Sequence, residues 1–127
     1  MDTTTQNTPL VLVVDDEEAI REAVRDILEL VEIKAVLASN GREAIDLFLK
    51  HRDQVKAILL DLRMPVMSGT ETYEELRKLD QNVRIILSSG YDEKMSTVDF
   101  DADSALMFLR KPYALDTLLA CVQDAIK

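Results

Sequence analysis

Several things are scarce in this chain of 127 residues, and each scarcity excludes something. Cys121 is the single cysteine, so no internal disulfide framework can staple the fold. No apolar run approaches the roughly 20 residues needed to span a bilayer, and the opening "MDTTTQNTPL" lacks the basic region and apolar core of a secretory signal. A reducing cytoplasm is therefore the expected setting, with no membrane contact by this domain. Basic residues are outnumbered, 15 against 24 acids, leaving a formal net charge of −9. Binding to nucleic acid through its phosphates runs on clustered Lys and Arg, so direct nucleic-acid binding is not expected. The length suits one domain that buries roughly two thirds of its unfolded surface. Residues 1–8 are expected to be a flexible leading segment and residues 9–127 the domain.

Against these absences stand five short apolar runs rich in β-branched residues: "LVLVV" (Leu10 to Val14), "KAVLA" (Lys34 to Ala38), "KAILL" (Lys56 to Leu60), "VRIIL" (Val83 to Leu87) and "LMFLR" (Leu106 to Arg110). Between and after them, apolar residues recur at helical spacing: Ile20, Val24, Ile27, Leu28 and Val31; Ala44, Leu47 and Phe48; Tyr73, Leu76 and Leu79; Leu115, Leu118, Leu119, Val122 and Ile126. The segment "DEKMSTVDF" between the fourth and fifth runs is the weakest helical stretch. Asn40-Gly41 and Ser68-Gly69 mark helix starts, and Pro112 closes the last strand. Strands alternating with helices imply a parallel sheet covered on both faces, which explains strands that are apolar throughout. Right-handed crossovers favour a flavodoxin-like, doubly wound (βα)5 fold with strand order 2-1-3-4-5.

In such sheets ligands gather outside the carboxyl ends of the strands. That rule selects Asp15-Asp16 after the first strand, Asp61 after the third, Ser88-Ser89 after the fourth and Lys111-Pro112 after the fifth. Three carboxylates converging on one edge need a cation, and oxygen ligands without nearby His or Cys favour Mg²⁺ or Mn²⁺ over zinc. Lys111 suits one phosphoryl oxygen as a point charge, and the Ser88 hydroxyl suits another. The set reads as machinery for a phosphoryl group, with Asp61 as nucleophile.

The pieces "VVDDE", "LLDLRMPVMSG", "ILSSGY" and "FLRKPY", in that order and spacing, resemble the receiver domain of two-component response regulators from about Leu10 to Ile126. The resemblance implies that Asp61 accepts phosphate from a histidine kinase or histidine phosphotransfer domain. It implies that Asp16, Asp61 and the backbone carbonyl of Arg63 ligate Mg²⁺ while Asp15 assists through water. Lys111 then binds the phosphoryl group, Ser88 senses it, and the Ser89 amide lies near the same oxygens. The Lys111-Pro112 peptide is usually cis in such domains. Phe108 falls at the aromatic switch position, and the surface formed by helix four, strand five and helix five of the family's fold, with Tyr113, is the expected site of partner contacts or of a phosphorylation-dependent dimer. Arg63 and Gly90 flank the path of attacking water and are expected to modulate phosphate lifetime. The chain departs from the family in "DADSALMF", where a glycine often precedes strand five. "LSSGYDE" is similar to receivers attached to hybrid histidine kinases, so both a stand-alone regulator and a segment of a larger protein are expected forms.

Simpler roles exist for single residues. Asp15-Asp16 alone would serve as a helix N-cap pair, Ser88 as a turn hydroxyl, Phe108 as core and the Arg63 side chain as a solvated surface group. His51 in "KHRDQ" reads as a surface residue rather than a phosphodonor, and Cys121 as packing. Three rival functions are weighed against signalling. A flavin module would need a hydroxyl- or glycine-rich phosphate loop after strand one, where this chain has two acids. A phosphatase with an aspartyl nucleophile commonly has a second acid two residues after the first, where this chain has Arg63. An unphosphorylated interaction module would not need the complete set of site residues.

Overall fold

The computed structural model describes residues 9–62, 64, 67–89, 103–111 and 113–126. Nine elements follow in chain order: β1 (Leu10–Val14), α1 (Glu18–Leu30), β2 (Lys34–Ala38), α2 (Gly41–His51), β3 (Val55–Asp61), α3 (Gly69–Leu79), β4 (Arg84–Ser89), β5 (Leu106–Arg110) and α4 (Leu115–Ala125). All strand pairs are parallel and the sheet order is β2-β1-β3-β4-β5, as the alternation of runs implied. The stretch "DEKMSTVDF" and the leading residues 1–8 lie outside the described residues. Among the described residues, no helix is long and apolar enough to cross a membrane.

The continuous apolar strands serve two cores at once, because successive side chains point to opposite faces. Leu10, Leu12 and Val14 of β1, with Ile58 and Leu60 of β3, join Phe48 of α2 and Leu76 of α3 on one face. Val11, Val13, Ala57 and Leu59 join Val24 and Leu28 of α1 and Leu118 and Val122 of α4 on the other. The expectation of strands buried throughout holds for the centre and fails at the rims. β2 has an exposed Lys34 and half-buried Ala35, Val36 and Leu37, and β5 exposes Phe108 and Arg110. Each rim strand has one neighbour, so its helices overhang it incompletely. Leu115, read as part of the apolar stripe of the last helix, is also 48% exposed at the first position of α4.

Local signals set the helix starts. The Asn40 side chain accepts from the Glu43 amide at 2.9 Å. Ser68 and Glu71 form a reciprocal capping box, with bonds of 3.1 and 3.0 Å. α1 has no such cap: Glu17 occupies the N-cap position without a side-chain bond.

The departure "DADSALMF" has a physical explanation in Arg77 of α3. Its Nε donates to Asp103 Oδ2 at 2.7 Å and its Nη2 to Oδ1 at 3.3 Å. Further donations reach the carbonyls of Asp80, Val83 and Ala105, so one guanidinium ties the end of α3 to the starts of β4 and β5. The Tyr73 hydroxyl also donates to Asp103, and Asp103 Oδ1 accepts from the Ala105 amide at 2.9 Å, closing an Asx turn just before β5. Burial acts to raise the Asp103 carboxyl, but the bonds from Arg77, Tyr73 and the Ala105 amide outweigh it and hold the group below the ordinary carboxylate value. Burial, with the Asp103 bond and charge, pushes the Tyr73 phenol up to about 12.

Removing one partner leaves the other charge uncompensated at 13% exposure, so Arg77→Met is expected to cost about 3 kcal/mol. The sign with pH follows from the lowered Asp103 pKa. Its contribution is present above the unfolded carboxyl value near 3.9 and is lost as pH falls through the lower folded value. Urea titrations of both proteins should show a gap at pH 7 that narrows below about pH 4. A gap independent of pH would assign the effect to the Arg77 bonds to the Asp80, Val83 and Ala105 carbonyls instead.

Candidate functional site

Because β1, β3, β4 and β5 run in the same direction, their carboxyl ends lie along one edge. Asp15 follows β1, Asp61 ends β3 and pairs in register with Ser88 of β4, and Lys111 follows β5. Asp15, Asp61 and Ser88 are buried, while Asp16 is exposed. One carboxylate oxygen from each of Asp15, Asp16 and Asp61 lies within 4.8 Å of the others. Lys111 Nζ stands 2.8 Å from Asp15 Oδ2 and 3.4 Å from Asp61 Oδ2. The structure thus brings together the five groups that the strand-end rule singled out: Asp15, Asp16, Asp61, Ser88 and Lys111.

Asp15 is held from every side. Its amide donates to the Ala38 carbonyl of β2 at 3.1 Å, its Oδ1 accepts from the Glu17 amide at 2.9 Å, and its Oδ2 accepts from Lys111. Its own carbonyl accepts from Arg21 Nη1 at 2.7 Å. The Oδ1 bond spans two residues, an Asx turn rather than a helix cap, so the simple capping role for this acid is not what the geometry shows. Both carboxylate oxygens are engaged by protein donors, whereas Asp16 is open to solvent.

Desolvation acts to lower the Lys111 pKa, but the Asp15 bond and the charges of Asp61 and Asp15 outweigh it and raise the group above its ordinary value. The ammonium is therefore fixed as a cation throughout the neutral range. Tyr113, expected among the partner contacts, packs half-buried against the α1/α4 core, where burial raises its phenol while Lys111 pulls it down. It borders the cluster more than it faces outward.

Ser88 is 2% exposed, and its Oγ has no hydrogen-bond partner among the described residues. A buried hydroxyl left unsatisfied costs on the order of 1–3 kcal/mol. Ser88→Ala removes the hydroxyl and keeps the packing, so it is expected to stabilise the resting protein by about 1 kcal/mol. The urea midpoint should rise with an unchanged slope. A lower midpoint would mean that the hydroxyl is satisfied in solution and has no idle capacity for a ligand.

Other candidates are placed as follows. Phe108 sits opposite Leu87 across β4 and β5 and is 48% exposed, so its ring is not core in this state. Ser89 ends β4, and its side chain lies outside the described residues, as do Arg63, Gly90 and Pro112. His51 ends α2 half-buried, away from the carboxyl edge, and Cys121 packs half-buried against the α1/α4 core. Burial of the Cys121 thiol raises its pKa and keeps it protonated. Two contributors were missed by the sequence reading. Arg21 gave no signal beyond its place among charged residues of α1. Gly69, read as a helix-start marker, has a second role: an added Cβ would fall 2.3 Å from Leu62 Cα and 2.4 Å from the Asp61 carbonyl oxygen.

The donor set fits a hard divalent cation. It is all oxygen and anionic, one acid faces solvent, and the described partners of the cluster include one Lys rather than enough cations to neutralise three acids. A lone divalent charge would relieve a repulsion that, between two carboxylates at this spacing and an effective dielectric near 20, is on the order of 3 kcal/mol.

Comparison with known proteins now adds to this geometry. The family model described as the response regulator receiver domain matches residues 11–123. Response regulator MprA of Mycolicibacterium vanbaalenii is 37% identical over 120 residues, covering 92% of this chain and 50% of its own length. Sporulation initiation phosphotransferase F of Bacillus subtilis is 29% identical over 117 residues, covering 92% and 90%. Among solved structures, the chemotaxis protein CheY4 of Vibrio cholerae superposes with a TM-score of 0.82 at 29% identity, covering 93% of this chain and 98% of that one. The chain spans about half the length of relatives such as MprA.

Proposed function

Because this chain belongs to the response regulator receiver domain family, we propose that it is the phosphoacceptor of a two-component pathway, with Asp61 as the accepting residue. The observation that carries the proposal is the meeting, on one buried edge, of the Asp61 carboxylate, the Lys111 ammonium and a Ser88 hydroxyl with no hydrogen-bond partner among the described residues. A structural ion pair explains the first two groups and leaves the third without a purpose.

The chemistry follows from the positions. An Asp61 oxygen forms the new bond to phosphorus as the bond from phosphorus to the donor's imidazole nitrogen breaks, and a proton restores the neutral imidazole. Asp61 is held on a rigid central strand, which limits the reorganisation needed for in-line attack. Lys111, already 3.4 Å from Asp61, offsets charge gathering on the phosphoryl oxygens. Ser88, in register with Asp61, donates to one of those oxygens and so exchanges an unsatisfied state for a charge-assisted bond. Mg²⁺, or Mn²⁺ in its place, would be held by Asp16, Asp61 and the Arg63 carbonyl, with Asp15 acting through water, and would supply charge neutralisation for the carboxylates and the incoming phosphate.

Transfer adds up to about two negative charges beside Ser88 and Lys111. Movement of Ser88 toward the phosphate opens room behind β4, and the exposed Phe108 ring on the adjacent strand turns inward to occupy it. The surface around β5 and α4 is thereby altered for a partner or for a second copy of the chain. The donor is a histidine kinase or a histidine phosphotransfer domain in the cytoplasm; residues 9–127 form the receiver, and any output is carried by a further domain or a separate effector. Intact-mass measurement after acetyl phosphate with Mg²⁺ tests the reading. One added phosphoryl, absent with a chelator, supports it, whereas steady turnover of aryl phosphates would replace it with a phosphatase.

A further inference from the structure

Arg21 projects from the second turn of α1, half-buried, and spends its Nη1 on a backbone oxygen rather than on any of the nearby acids. That oxygen is the Asp15 carbonyl, 2.7 Å away, and it belongs to the peptide unit joining Asp15 to Asp16. A peptide unit is planar, so fixing the direction of the carbonyl fixes the plane from which the Asp16 Cα departs. The remaining bonds of Asp15, donated by its amide to the Ala38 carbonyl and accepted by its carboxylate from the Glu17 amide and Lys111, hold its amide and its side chain but not this plane. Asp16 is solvent-exposed, so packing does little to aim its carboxylate. Its direction depends on the backbone that carries it.

Resting on the phosphoacceptor reading, we propose that Arg21 is a positioning residue for the divalent cation: it locks the Asp15–Asp16 peptide plane so that the exposed Asp16 carboxylate points at Asp61. A cation this close to a cation site would ordinarily weaken metal binding. Here Glu18, Glu22 and Glu43 line the same cleft as Arg21, so its charge is locally offset while its hydrogen bond is retained. The sign of the net effect is therefore a direct test, because charge repulsion and geometric positioning predict opposite outcomes when Arg21 is removed.

Mn²⁺ titration calorimetry on the full chain, together with thermal melts in chelator, separates the possibilities. Arg21→Met keeps the apolar stem and is expected to weaken Mn²⁺ binding about 10-fold, as loss of an outer partner of a metal ligand commonly does. Arg21→Lys keeps a donor and is expected to recover most of that loss. If Arg21 acts through Asp16, Arg21→Met should have no further effect on Mn²⁺ affinity in an Asp16→Asn background, where a general structural role would remain additive. Unchanged or tighter Mn²⁺ binding by Arg21→Met overturns the proposal, whatever the melting temperature does. Failure of the unaltered chain to bind Mn²⁺ overturns the phosphoacceptor reading itself, a result distinct from the first.

Discussion

An Asp61→Asn chain is expected to take up no phosphoryl group from acetyl phosphate, to bind Mg²⁺ about 100-fold more weakly, and to keep its fold. The loss of transfer is complete because an amide offers no anionic oxygen to phosphorus, and the described neighbour best placed to substitute, Asp15, has both oxygens engaged by Glu17 and Lys111. The weaker metal affinity exceeds the typical cost of losing an outer partner because a direct ligand and a full negative charge are both removed. Stability should change little. The substitution ends a carboxylate repulsion on the order of 3 kcal/mol and also ends the pairing with Lys111, two terms of opposite sign. Intact mass, calorimetry and a urea titration on the same preparation check the three parts. Phosphoryl uptake by Asp61→Asn would move the acceptor to another residue and sink the central assignment.

Gly69→Ala is expected to lower the melting temperature by roughly 10 °C and to slow phosphoryl uptake by about 100-fold. The usual reason to keep a glycine does not apply, since no described glycine has positive φ, and alanine in a helix would normally add a few tenths of a kcal/mol through the unfolded state. The reason is proximity. A Cβ here would lie 2.3, 2.4 and 2.8 Å from Leu62 Cα, the Asp61 carbonyl oxygen and Leu62 C, all backbone atoms that no rotamer change can clear. The Gly69 amide also donates to the Leu62 carbonyl at 2.9 Å, so α3 cannot retreat without losing that bond. Overpacking of this kind costs up to about 3 kcal/mol. The displaced atoms are the carbonyl oxygen of Asp61, the proposed acceptor, and the backbone of Leu62 next to it, and a shift of about 1 Å at a reacting group can cost 100-fold in rate. A melting temperature within a degree or two of the unaltered chain would show that the helix start yields cheaply, and the rate effect should then vanish as well.

Three of the five strands were legible in the sequence to the residue, and the other two to within one or two, because β-branched runs bounded by turn residues leave little choice of element. The site was legible for a different reason: in a parallel sheet, a residue that follows an apolar run is placed by topology, so Asp15, Asp61, Ser88 and Lys111 could be assembled without coordinates. What escaped was anything set by distance across the fold. Nothing in "EEAIREAV" reveals that Arg21 turns back to a carbonyl, and nothing in "SGTE" reveals that α3 starts against the backbone of Asp61. The Arg77–Asp103–Tyr73 junction was equally hidden, since Asp103 lies 26 and 30 residues from Arg77 and Tyr73, and Arg77 and Asp103 each look like an ordinary surface residue in their own segments. Rim exposure of β2 and β5 could have been anticipated from the strand order and was not, since apolar composition was read as burial on both faces.

The bond between Lys111 and Asp15 joins residues 96 positions apart. During synthesis, at about 5–20 residues per second, Asp15 emerges some 5–20 s before the lysine that pairs with it. Until β5 docks, a nascent or truncated chain has its carboxylates on an incomplete edge, with neither the ammonium nor the final strand in place. The edge on which the proposed phosphoacceptor chemistry depends is therefore completed late and all at once, when the last strand and its lysine arrive.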